Sequence, residues 1–527
     1  MPEMAGEPRR SGSLDEPSET APLLQGHSQR PRYRQGLSVT SIATSITSIH
    51  VPKAHNNTTI INVLCVIIFV VSCSAGFLDL SMTRLVEDAL CHEYYNVENW
   101  NLPIDEKQCK EAPIQEKLAY LLAILSSANS IAGFVAALPW GLVADKIGRK
   151  PVVALALFGL LFGGLIQLAV VYWRDVFPLT AIWASAIGPL IGGGNPVLAG
   201  VIFSMVSDAT SEEQRTIAFL RIHVANICGN LLSPSLSALL MEKTSPWVPP
   251  WVGITFFIMG GVSFLFLPET FVHKDPSRAS DESEPSGTSS RISRVISHCR
   301  DTLSILKSPS LILLLLTALF AMPILYGTLQ FLNQFVSKRY GIKISQTGYV
   351  QTVYGIVHIV QSLVILPWLS GFLIKPTTPP RFRSTDEQHR DLALARWSYG
   401  ILLIGALVLG LSPTLGSFIF GLIIMAFGSG FSSLTKSLMS TYVDTEHRSR
   451  LFSIVAMVEV LGSVYAQPML AVLFSLGLKL QGGWIGLPYY GLAGLIAVGN
   501  LLLLFVKTPN TNGDTLAFRD DNDSHID

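Results

Sequence analysis

Apolar and polar residues fall in long blocks along this chain. About twelve stretches of Leu, Val, Ile, Ala, Gly and Phe, each close to 20 residues, are parted by polar segments, and ~20 residues at 1.5 Å rise cross a ~30 Å hydrocarbon layer. They run near 60–81, 117–141, 151–171, 178–206, 216–240, 250–268, 309–336, 346–370, 398–411, 414–441, 452–476 and 486–506. The ninth is short for a crossing. The pattern predicts an all-α membrane protein, and an even number of spans puts both termini on one side.

The polar segments divide the chain further. Residues 1–59 are rich in Pro, Ser, Thr and Arg and carry no helical period, which reads as a disordered tail. Residues 269–308, with Asp281-Glu282-Ser283-Glu284-Pro285, read as a linker between two six-span halves, 60–268 and 309–506. Residues 507–527 form a second tail. Within the first, Glu19-Thr20-Ala21-Pro22-Leu23-Leu24 fits the acidic dileucine pattern that sorting adaptors read, with an inert tail as the alternative.

Composition agrees with a lipid solvent. Of 527 residues, 49% are hydrophobic and 14% charged, with a mean hydropathy of +0.44, where a soluble chain carries about a quarter charged. A formal net charge of zero gives no sign of nucleic acid as a partner. Most Lys and Arg fall in the tails, the 142–150 turn, the 269–308 linker and the 371–397 loop. By the positive-inside rule those segments and both termini are cytosolic. The opposite-face loop, about 82–116, is long and acidic. It holds Cys91 and Cys109, which either form a disulfide in that oxidising space or remain two thiols.

The halves resemble each other. Leu138-Pro139-Trp140 closes the second span and Leu366-Pro367-Trp368 the eighth. Gly192-Gly193-Gly194-Asn195 precedes Asp208 and Arg215, as Gly428-Ser429-Gly430-Phe431 precedes Asp444 and Arg448.

Between the second and third spans stands Gly141-Leu142-Val143-Ala144-Asp145-Lys146-Ile147-Gly148-Arg149-Lys150. Gly141 lets helices approach closely and Gly148 can take positive φ in the turn. The decapeptide resembles the signature loop of the major facilitator superfamily, G-x-x-x-D-[RK]-x-G-[RK]-[RK]. That resemblance implies two pseudo-symmetric bundles of six helices. It also implies a cytosolic gate in which Asp145 and Arg149 engage Asp208, with Arg215 nearby; topology and helix capping are the structural alternative. Two other motifs of the superfamily are incomplete. Ala184 and Ile187 stand where many members have Arg and Gln ahead of Gly188. The antiporter motif G-x-x-x-G-P-x-x-G-G aligns as Gly229, Ser233, Pro234, Ser237 and Ala238. The proline survives and three glycines do not.

An ionisable group inside a membrane costs about 2.5–3.5 kcal/mol and asks for a reason. Asp79 reads as lying near the outer end of the first span, with Arg84 about one turn on. Lys436 and Glu459 sit at similar depth on adjacent spans and form either a static ion pair or a protonatable coupling site. His358 and Asn195 are further candidates for coupling or substrate, although a helical His is also often merely hydrogen-bonded. No Walker loop, catalytic triad, metal-ligand spacing or cofactor motif is seen, so the chain does not read as an enzyme.

The resemblance, the Cys91…Cys109 loop and the long tails look most like fungal general-substrate members. They imply alternating access, proton-linked efflux of a drug or secondary metabolite, and a plasma or vacuolar membrane. A nutrient importer or vacuolar carrier is the second reading, and a non-transporting membrane receptor the third. The expected partners are a small-molecule substrate, protons, the lipid bilayer and a sorting adaptor at Glu19, Leu23 and Leu24.

Overall fold

The computed structural model describes residues 57–97, 104–210, 212–267, 308–374, 387–443 and 448–508. The dileucine at Glu19, Leu23 and Leu24, most of the 269–308 linker and Asp444 lie outside them.

Among the described residues, twelve helices are long and apolar enough to cross a membrane. Between 11% and 56% of each apolar window is buried inside the protein. The remaining apolar surface, with Phe158, Leu236, Trp251, Ile404 and Phe420 turned outward, needs lipid as its solvent.

The first half comprises α1 (Asn57–Tyr94), α2 (Ala112–Ile147), α3 (Arg149–Tyr172), a 3-10 turn (Leu179–Ala186) leading into α4 (Ile187–Leu190), α5 (Gly194–Ala209), α6 (Glu212–Lys243) and α7 (Val248–Leu265). The second comprises α8 (Pro309–Leu319), α9 (Ala321–Thr328), α10 (Gln330–Tyr340), α11 (Ile344–Val360), α12 (Leu366–Ile374), α13 (Glu387–Leu411), α14 (Leu415–Phe427), α15 (Phe431–Ser440), α16 (Arg448–Leu480) and α17 (Leu487–Phe505).

The repeat in the sequence marks matching interruptions. In the fourth span the chain breaks between α4 and α5, where Gly192, Gly193 and Gly194 take φ of 85°, 87° and 60°. A Cβ on Gly192 would stand 2.3 Å from the Ala156 backbone nitrogen, so only glycine fits. Trp140 donates its indole N–H to the Leu190 carbonyl at this break, 2.9 Å away, satisfying a group that lipid cannot. The tenth span breaks at Gly428–Gly430, between α14 and α15. Spans five and eleven carry equivalent internal prolines, Pro234 and Pro468.

The halves meet along two equivalent seams, α2 against α16 and α6 against α11. Gly348 and Gly355 of α11 let it lie against Pro234 and Leu231 of α6.

Three details differ from the sequence reading. α1 does not stop near residue 81 but runs to Tyr94, because Arg84, Glu87 and Asp88 find ionic partners there. Asp79 consequently lies in the middle third of the helix and not near its outer end. The ninth span starts at Gln388, since Arg390 pairs with Asp391 at 2.8 Å. Gly141 makes no close approach: nothing described lies within 4 Å of a Cβ built on it. Gly148 does take positive φ, 104°, where it ends α2 and starts α3.

These environments predict opposite outcomes for two glycine substitutions. Gly141→Ala, inside a helix with room for the methyl, is expected to keep or raise stability by up to about 1 kcal/mol. Gly192→Ala is expected to cost at least about 2 kcal/mol through strain and overlap. Thermal unfolding of the detergent-purified variants checks both.

Candidate functional site

Between the halves lies a cavity of about 1400 Å³. Most contributing elements present a polar group to it: Asp79 and Thr83 of α1, Asn129 of α2, Gln167 of α3, Ser185 of the 3-10 turn, Asn195 of α5, Tyr326 of α9, Gln330 and Gln334 of α10, and Glu459, Ser463 and Gln467 of α16, while α4 and α6 present Pro189 and Phe219. Aromatic rings, among them Phe203, Phe219, Phe331 and Phe452, supply apolar walls. Phe203, Phe219 and Phe452 lie close to the helix ends on the side of the 141–150 turn, so the cavity extends toward that face.

The opposite end is sealed. Cys91 and Cys109 are joined by a disulfide with Cα atoms 5.2 Å apart. Beside it Glu87, fully buried, receives Lys110 at 2.6 Å, Gln115 at 2.6 Å and Arg84 at 3.1 Å. Lys110 also reaches Glu106 at 3.1 Å, and Arg84 reaches it at 3.5 Å. This cluster holds the loop against α1, and the loop in turn holds the second half. Ile344 donates its backbone N–H to Glu106 at 2.7 Å. Lys338 donates to the Lys110 carbonyl, and burial keeps the Lys338 ammonium below its usual pKa. Gln334 donates to the Gln115 carbonyl at 2.7 Å, Tyr349 to Glu242 at 3.1 Å, and Ser475 to Glu116. Nearer mid-membrane, Ser127 donates to the Val464 carbonyl at 2.7 Å and Ser235 to Thr352 at 2.6 Å.

A second cavity, about 410 Å³, lies among α6, α9, α11 and α15, with His223, His358, Ser429 and Lys436 in its wall. Glu459 lines both cavities. Its carboxylate pairs with Lys436 at 2.7 Å, so the two residues that sequence depth placed together do meet. His358 Nδ1 lies 2.6 Å from the Ser429 hydroxyl, at the break of the tenth span.

Asp79 and Arg84 do not meet. Arg84 turns to Glu87, Asp88 and Glu106. Of the 141–150 turn, Lys150 donates to the Leu265 carbonyl at 2.6 Å. The side chains of Asp145, Lys146, Asp208 and Arg215 lie outside the described residues.

Sequence reading missed the Glu87–Lys110 pair, the Ser429 partner of His358, and a π-helical turn at Gln361–Ile365. Ser362 and Leu363 of that turn line the smaller cavity. The first had a signal, three charged residues of both signs inside an otherwise helical continuation of span one. A π turn has no signature in a single sequence.

The comparisons with known proteins agree on one architecture. The Major Facilitator Superfamily model matches residues 113–383. A protein of Emericella nidulans named MFS efflux pump atnC is 30% identical over 448 residues, covering 81% of this chain and 83% of that one. A protein of Aspergillus flavus named efflux pump ustT is 26% identical, covering 82% and 85%. Among solved structures, the human organic anion transporter MFSD10 superposes with a TM-score of 0.53 at 17% identity, over 85% of this chain and 99% of that one. A D-xylose-proton symporter does so with 0.57 at 13% identity, over 85% and 98%. At those identities the structures speak for the fold.

The buried cluster predicts a specific pattern of loss. Lys110→Met leaves the Glu87 carboxylate buried beside fewer cations and is expected to cost about 3–5 kcal/mol. Adding Glu87→Gln is expected to return most of it. Unfolding midpoints of the single and double variants provide the check.

Proposed function

The chain belongs to the major facilitator superfamily, and from that membership we propose that it exports a small organic molecule by proton-linked alternating access. It is a multi-pass membrane transporter; direction, coupling and substrate are the proposal. The observation that carries it is the cavity between the halves, sealed at the disulfide end and extending toward the 141–150 turn. With that turn cytosolic, as the positive-inside rule gives, the structure stands open to the cytosol, poised to load a solute for export. The relatives named as efflux pumps support the same direction.

Glu459 is the proposed coupling group. It stands in the wall shared by the cavities, neutralised by Lys436. Protonation would remove its charge, free Lys436 and change what the α15–α16 contact is worth as the halves rock. Asp145, Arg149 and Asp208 form the proposed latch at the cytosolic face in the alternate state.

Glu459→Gln in proteoliposomes is the direct test. We expect a substrate flux that no longer responds to an imposed pH gradient, while exchange without a gradient persists. A gradient response equal to that of the unmodified protein would remove Glu459 from coupling.

A further inference from the structure

We infer that the central cavity selects solutes carrying a single positive charge, a protonated amine or an organic onium, and that Asp79 is their counter-ion. This rests on reading the central cavity as the transport site, and concerns which charge that site accepts.

Asp79 lines the cavity from the middle third of α1, and its carboxylate has no hydrogen bond or ion pair among the described residues. Nearby cations are committed elsewhere. Arg84, one turn further along the same helix, gives its guanidinium to Glu87, Asp88 and Glu106. Lys110 is held by Glu87 and Glu106. Lys436, in the wall of the smaller cavity, is taken by Glu459. The other carboxylate that the described residues place in the wall is thus neutralised by a residue of its own half, and among those residues Asp79 has no cation of its own.

The surroundings fit a cation with apolar bulk. Tyr326 stands within electrostatic reach of the carboxylate, and its ring offers a negative face to a cation. Ser126, Ser130 and Asn129 supply neutral dipoles, and among the described residues no lining Lys or Arg competes for the carboxylate. An organic cation entering here gains an ionic partner in a poorly screened space. An anion of equal size meets repulsion and finds no cation free to receive it.

Tetraphenylphosphonium and tetraphenylborate have nearly the same size and apolar surface and opposite permanent charge, so neither titrates. Their binding to the full-length purified protein is measured by equilibrium dialysis, with neutral triphenylmethanol as a third probe. We expect the cation to bind at least about tenfold more tightly than the anion. Asp79→Asn should erase that preference while leaving triphenylmethanol binding unchanged, and Asp79→Glu should keep it. If Asp79→Asn does not fold, the preference of the unmodified protein and its retention in Asp79→Glu carry the test. Equal binding of the two ions, or a preference that survives Asp79→Asn, overturns the inference while the transport reading stands. Binding of all three probes left unchanged by the double variant Asn129→Trp/Ser463→Trp, whose indoles would obstruct the cavity from both halves, would instead place binding elsewhere and overturn both.

Discussion

A carboxylate with no access to solvent keeps its charge at least cost beside a cation, and Glu87 beside Lys110 is where this molecule follows that rule. In lipid, apolar burial gives helices little reason to associate, so polar contacts and close packing decide which surfaces stay together. The Glu87–Lys110–Glu106–Arg84 cluster fixes the disulfide-bearing loop to α1 (Asn57–Tyr94). Once fixed, the loop offers Glu106 and the Lys110 carbonyl to Ile344 and Lys338 of the second half. One buried pair thereby closes one end of the space between the halves. The shape of the cavity follows from that closure, and so, on the proposed function, does the side from which a solute would enter.

The extent to which the sequence displayed this varies with the kind of signal. Block hydropathy located all twelve crossings, because lipid imposes a length and a composition that few other environments do. The Gly-rich pairs at 192–194 and 428–430 were visible as a repeat and proved to be helix breaks. Hydropathy failed where charges neutralise one another. Arg84, Glu87 and Asp88 look like the start of a loop, and Arg390 and Asp391 look like the end of one. In the fold each is paired, so the helix continues through it. A scale that scores residues singly cannot see a partner 20 residues away. The same error displaced Asp79, which a span ending near 81 puts at a membrane surface and a span ending at Tyr94 puts inside. Gly141 shows the converse: composition suggested close packing, and the space around it is open.

Symmetry explains one more arrangement and its limits. The fourth and tenth spans break at equivalent places, and interrupted helices in matching positions point to binding sites. The first break, with Ser185, Pro189 and Asn195, faces the central cavity; the second, with Ser429, faces the smaller one. His358 and Gln361 of the eighth span reach Ser429, whereas Trp140 of the second span donates its indole N–H to the Leu190 carbonyl at the first break. The two breaks match in position and differ in what fills them.

Glu459 stands where these two differently filled spaces meet, and its geometry argues for a division of labour. A group reached from two cavities can exchange a proton through one while a solute occupies the other. Glu459 touches the solute-sized space on one side and, through Lys436, the histidine-lined space on the other. Asp79, across the larger space, touches only that one. The two carboxylates therefore differ in what can reach them. On the proposed mechanism, one would sit between a proton route and the solute and the other on the solute's side, the separation that lets proton and cargo influence each other without sharing a site.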